Sequence, residues 1–139
     1  MEISKDLSAR RAEIASVVVV LVSPTVLFIA SLNEAQLNAV GKASSVTDQA
    51  GVSALLDVLA RGRIAETAGG ENAAIDARIG IYLRWHDGHG SRLVFDGAGR
   101  CGLYDGAICV HAASPRFAHE LRAWAAGREP APAAIEIAL

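Results

Sequence analysis

The sequence predicts an α+β chain: an N-terminal transmembrane helix continuing into a helix rich in small residues, then a four-stranded antiparallel meander covered by a C-terminal helix. Three observations carry this reading. Ile14–Leu32 contains no ionisable side chain, small residues recur at helical spacing after it, and three Asp-Gly pairs punctuate a run of period-two alternation.

The apolar block comes first. A bilayer's hydrocarbon core asks for roughly 20 mostly apolar residues in a helix, and Ile14–Leu32 meets that length. Ser16, Ser23, Thr25 and Ser31 can return their hydroxyls to a carbonyl one turn back, and Pro24 is tolerated where neighbouring groups re-satisfy the backbone. Val17, Val20, Pro24 and Phe28 mark the expected span. Lys5, Arg10 and Arg11 precede it and only Lys42 follows closely, so basic residues place the N terminus on the cytoplasmic side of a bacterial-type inner membrane, with the C-terminal domain extracytoplasmic. The block is longer than a secretory apolar region and lacks a good small-x-small site after it, which argues against cleavage.

A second reading of the same residues stays open. Ser16–Val22 and Thr25–Ala30 are β-branched runs separated by Ser23-Pro24-Thr25, a pattern that also fits residues 16–30 as a buried β-hairpin in an α+β binding or adaptor module. Apolar residues occupy both faces, so periodicity does not choose between the two.

Composition narrows the class of function. Thirteen basic and fifteen acidic residues leave a net charge of -2, with no basic run, so nucleic acid is not an expected partner. The chain is 52% hydrophobic but only 5% aromatic; Ala and Val carry the apolar content, which suits close helix packing more than a large aromatic ligand pocket. Nothing calls for a cofactor, and no small-molecule substrate is identified.

The remaining segments follow in order. Residues 1–13 read as a cytoplasmic leader or a frayed helical turn with Ser4 as a possible cap. Residues 33–62 read as a helical stalk, either unbroken from the membrane to Arg61 or restarted at Ser44-Ser45, in which Ala35, Ala39, Ala43, Val46 and Ala50 form a small-residue stripe suited to close helix packing, with Gly62 at a left-handed C-cap. The bland reading of that stripe is one face of an ordinary core helix. Residues 63–76, rich in Gly and Ala, read as a linker, and 77–127 as the meander and its helix, ahead of a tail at 128–139.

Within 77–127, Asp87-Gly88, Asp96-Gly97 and Asp105-Gly106 predict turns between strands near 78–86, 90–95, 99–104 and 107–112, because a type I′ turn needs positive φ at both central positions. The nine-residue spacing does not carry the Gly and large-apolar positions of a calcium-binding β-roll. Ser114-Pro115 is expected to open a helix whose Phe117, Leu121 and Trp124 cover the meander, with Gly127 at its end. In the tail, Ile135-Glu136-Ile137 fits a short edge strand.

Four side chains invite chemistry. Cys101 and Cys109 flank the third turn and are a candidate disulfide in an oxidising compartment, although a tight turn sets their sulfurs on a diagonal. His86 and His89 bracket the first turn, but zinc sites want three or four protein ligands, so solvated turn histidines are expected. Cys109 and His111 share one side of a strand, as a thiol–imidazole dyad would, without an evident third group or oxyanion site.

Glu13-Ile14-Ala15 at the membrane entrance, Pro24 within the block, the Gln36–Gly51 stretch QLNAVGKASSVTDQAG and the order of parts resemble the TadE/TadG-like proteins of tight-adherence pili over about the first 60 residues. The resemblance implies a minor pilin-like or assembly subunit of an envelope machine, non-catalytic, that meets other protein subunits by helix packing through the Ala/Val stripe.

Overall fold

The computed structural model describes residues 2–23, 31–67, 75–128 and 131–132. Its organising element is the valine block, and that block is a β-strand. β1 (Ile14–Leu21) pairs antiparallel on one side with β2 (Lys42–Val46), Val18 facing Ser45 and Val20 facing Ala43, and on the other with β4 (Ile79–Trp85), Val18 facing Tyr82 and Val20 facing Gly80.

The expected transmembrane helix is thereby corrected: among the described residues no helix is long and apolar enough to cross a membrane, and the inner-membrane topology loses its basis. The physical reason lies in the side chains. Four consecutive valines are β-branched and stiff at χ1, which favours a pleated strand, and a strand covered on both faces reads as a continuous apolar run, as a span does. Val17 and Val20 are fully buried on opposite faces of the sheet. Pro24 and Phe28 lie outside the described residues, as does the whole second arm of the hairpin alternative, Thr25–Ala30; the partners of β1 among the described residues come from 42–46 and 79–85.

The sheet is also wider than a four-stranded meander. β4 is followed by β5 (Gly90–Phe95), β6 (Gly102–Tyr104) and β7 (Ile108–Ala112), each antiparallel to the last. Beyond β7 lies β3 (Ile64–Glu66), in the stretch expected to be a linker, and beyond β2 lies the two-residue β8 (Ala131–Pro132) from the tail. The order is β3-β7-β6-β5-β4-β1-β2-β8, seven strands with a short eighth at one edge. The Ile135-Glu136-Ile137 strand lies outside the described residues.

All three Asp-Gly pairs lie in turns, but with different geometry. Asp105 (φ 52) and Gly106 (φ 74) both take positive φ, whereas in the first two turns the left-handed position falls on Gly88 and on Gly99, the latter two residues beyond Gly97.

Three helices cover one face. In α1 (Ile3–Ala9), Ile3 and Leu7 are buried against α3 and β3, and Ser4 accepts a hydrogen bond from the Ile64 amide at 3.0 Å, so the expected leader is part of the core. α3 (Gln49–Gly62) is capped by Asp48, whose carboxylate accepts from the Gly51 amide at 2.9 Å. Its left-handed C-cap is Arg63 (φ 54), not Gly62; Gly62, the last helical residue, is a glycine because Phe117 leaves no room for a side chain there, its ring atom Cδ1 standing 2.6 Å from where a Cβ would be. α4 (Phe117–Ala126) begins two residues after Ser114-Pro115 and buries Phe117 and Leu121, with Trp124 partly covered. Phe117 meets Phe95 edge-on at 5.3 Å between ring centroids.

The expected helical stalk breaks into α2 (Glu34–Val40), β2 and α3. α2 ends at Gly41, where an added Cβ would stand 2.5 Å from Val20 Cγ1. The small-residue stripe is therefore dispersed: Ala35 and Ala39 are exposed on α2, Ala43 and Val46 are buried on opposite faces of β2, and Ala50 is exposed in the first turn of α3.

Two substitutions test this packing. Val20→Ala should lower stability by roughly 1–3 kcal/mol, through lost transfer energy and a residual cavity. Gly62→Ala should also destabilise, against the gain of about 1 kcal/mol that Ala brings to an unobstructed helix position. Urea denaturation followed by circular dichroism checks both; a Gly62→Ala variant more stable than the parent would contradict the close approach of Phe117.

Candidate functional site

The second face of the sheet is where the side chains become polar. Two rows cross it perpendicular to the strands. Ala43, Val20, Gly80 and Val94 form the first, and α2 sits on it through the fully buried Leu37. Gly80 permits that seat, since a Cβ there would press on Leu37 Cδ2 at 3.3 Å and on the Tyr82 ring at 2.9 Å. The second row is Ser45, Val18, Tyr82 and Arg92, with Ser16 and Arg84 paired one step further along β1 and β4. Beside α2 these residues floor a cleft of about 440 Å³, bounded by Glu34 and Asn38 on the helix and by Gly88, Gly90 and Ser91 in the β4–β5 hairpin.

Local sequence fixes the helical wall. Asn33 Oδ1 accepts from the Gln36 amide at 2.8 Å, and Gln36 Oε1 accepts from the Asn33 amide at 2.9 Å, a reciprocal capping box that starts α2 and brings Glu34 over the sheet. Asp76 secures the chain just before this cap by accepting from the Leu32 amide at 2.8 Å and from Arg78 Nε at 3.0 Å; those bonds hold its carboxyl below the usual range.

Glu34 then organises the cleft. Its Oε2 accepts the Tyr82 hydroxyl at 2.7 Å and its Oε1 accepts Arg92 Nε at 3.2 Å, while the Tyr82 oxygen lies 3.0 Å from Asn38 Oδ1. Burial, and then the hydrogen bond to Glu34, push the Tyr82 phenol well above its ordinary value of 10. Tyr82 is thus a neutral donor at physiological pH and neither a base nor a nucleophile. The Arg92–Glu34 pair is partly exposed and contributes at most about 1 kcal/mol by itself; its larger effect is to hold both side chains in place.

Arg84 differs from these neighbours. It is exposed and has no hydrogen bond or ion pair among the described residues, and the same holds for the side-chain hydroxyls of Ser16, Ser45 and Thr47 that line the cleft with it.

The residues singled out from sequence lie elsewhere. Cys101 is exposed ahead of β6, and β6–β7 register puts Leu103, not Cys101, opposite Cys109; the two thiols are not bridged, which corrects the disulfide expectation. Cys109 and His111 do share the second face of β7, but His111 Nδ1 lies 3.0 Å from Thr67 Oγ1 at the sheet edge, far along the sheet from Tyr82 and Arg84. His86 and His89 are exposed in the first turn, where His89 Nδ1 meets Asp87 Oδ2 at 3.0 Å. Among the described residues no three His, Cys, Asp or Glu side chains gather as metal ligands would.

Tyr82 supplies a direct check. Its raised phenol pKa favours the native state below the unfolded value near 10, and that contribution disappears as pH rises from there through the folded pKa. An ultraviolet titration of the folded protein should show one tyrosine ionising above the ordinary range, and Tyr82→Phe should remove that step and cost about 0.5–1.5 kcal/mol. A late step that persists in Tyr82→Phe would contradict the assignment. Comparison with family models, with curated proteins and with solved structures gives no match, so the function is argued from this cleft and its chemistry.

Proposed function

We propose that the protein is a non-catalytic binding module whose cleft between α2 and the β4–β5 hairpin holds an acidic segment of a partner protein. One observation carries this reading: among the described residues, the Arg84 side chain stands uncommitted beside unpaired hydroxyls, while the other charges lining the cleft are engaged, Glu34 by Tyr82 and Arg92 together. An exposed guanidinium with donors beside it recognises a carboxylate by paired, charge-assisted hydrogen bonds.

The shape supports a chain segment over an enclosed small molecule. The cleft is open to solvent and runs across the strands, with Val18 and the Tyr82 ring as its apolar floor and hydroxyls along its length. Tyr82, kept protonated by its surroundings, supplies positioning and no proton-abstracting group. This keeps the binding or adaptor reading of the sequence, and the partner remains a protein, met through a sheet face instead of a small-residue helix stripe.

A peptide panel tests the proposal. Short acidic, neutral and basic peptides, titrated into the isotopically labelled full chain, should move the amides of Ser16, Ser45, Tyr82 and Arg84 only in the acidic set. Arg84→Glu should abolish that response and admit the basic set. Absence of any saturable shift at those amides, or acidic-peptide binding unaffected by Arg84→Glu, would overturn the reading.

A further inference from the structure

A second pocket, away from the cleft, lies where the turn between β5 and β6 meets the chain leading into α4. Ala98, Ala112, Ala113 and Ala118 line it with small apolar surface, and Arg100, His119 and Arg122 supply its polar side; its volume is about 460 Å³. Among the described residues no carboxylate lines it. Asp96, the nearest acid in sequence, accepts from the Arg100 amide at 2.9 Å, and Glu120 on α4 pairs with Arg61 at 3.4 Å.

Arg122 is the unusual member. Its Nη1 donates to the Gly97 carbonyl at 3.2 Å, its Nε is buried without any acceptor, and no carboxylate lies within ion-pair distance of it among the described residues. Partial withdrawal of a guanidinium from water with no anion beside it leaves part of its desolvation cost uncompensated. Burial lowers the Arg122 pKa, the direction expected of a cation lacking its counter-charge. Arg100 and His119 are exposed at the same rim with no side-chain partner among the described residues, so three donor-bearing side chains line one volume. The amino end of α4 opens onto it, which adds to the preference for negative charge.

We infer that this pocket binds a phosphomonoester, with Arg122 and Arg100 gripping the phosphate, His119 donating to it from the helix, and the alanine surface receiving the attached organic group. Arginine pairs match phosphate oxygens bidentately, and the volume exceeds what a bare ion fills. The assignment is independent of the peptide cleft, with which the pocket shares no lining residue.

Calorimetric titration of the full chain with inorganic phosphate and with phenyl phosphate, at matched ionic strength, tests it. Both should bind saturably, phenyl phosphate more tightly. Arg122→Gln should abolish binding, and Arg100→Gln, at an exposed position whose side chain makes no bond among the described residues, should weaken it by about tenfold, equivalent to roughly 1.4 kcal/mol. No saturable heat with either ligand, equal affinity for the two, or unchanged affinity in Arg100→Gln would overturn the inference.

Discussion

The structure depends on the placement of one strand. From Val17 to Leu21, β1 is paired with β2 on one edge and with β4 on the other, and the side chains of Val17–Val20 are buried on both faces of the sheet. Removing the apolar surface of Val17–Val20 from water is the favourable term; pairing the backbone keeps that burial from leaving unsatisfied amides and carbonyls, which would be expensive. A lipid bilayer and the interior of a sheet make the same demand on these residues. They differ in how the backbone is satisfied, by a helix within the segment or by neighbouring strands.

The two covers of the sheet are unequal, and the candidate site follows from that. α1, α3 and α4 bury a continuous core under one face, whereas the described residues put only the short α2 on the other. Leu37 is the buried side chain of α2, and it fits against the sheet because Gly80 and Gly41 present no Cβ beneath or behind it. Shift α2 outward by one methyl group and Glu34 would no longer reach Tyr82 and Arg92 together. The ordered side of the cleft is therefore a consequence of backbone proximity, and the exposed Arg84 is left available because Glu34 is already occupied.

How much of this was legible in the sequence varies by element. The Asp-Gly turns and the strands they join are local features, and the runs near 78–86, 90–95 and 107–112 contain β4, β5 and β7, because alternation and turn chemistry need no distant partner. The valine block was ambiguous for a physical reason: burial on two faces erases the period that separates strand from helix. The stalk was misread although a signal was present, the Asn33…Gln36 pair that starts α2 and marks a boundary inside the supposed continuous helix. Gly41 offered another, but its reason, the nearness of Val20, exists only once β1 and β2 are paired. Tyr82, Arg84 and Arg92 carry no motif; that they lie on one face is visible from period two, but their meeting with Glu34 depends on a helix forty-eight residues earlier in the chain. The cysteines failed as a bridge through register: the β6–β7 pairing runs one residue differently from that of a tight Asp105-Gly106 turn, and Cys101 falls before the strand begins.

Native-state hydrogen exchange tests most directly whether the protein's own sheet shelters the valine block. In plain buffer the amides of Val17, Val18, Val19 and Val20 should be among the slowest in the chain, exchanging only when the whole structure opens, since central strands paired on both sides are the last to open locally. Rapid exchange at those four amides in a protein otherwise well protected, or protection that appears only when lipid or detergent is supplied, would contradict the account.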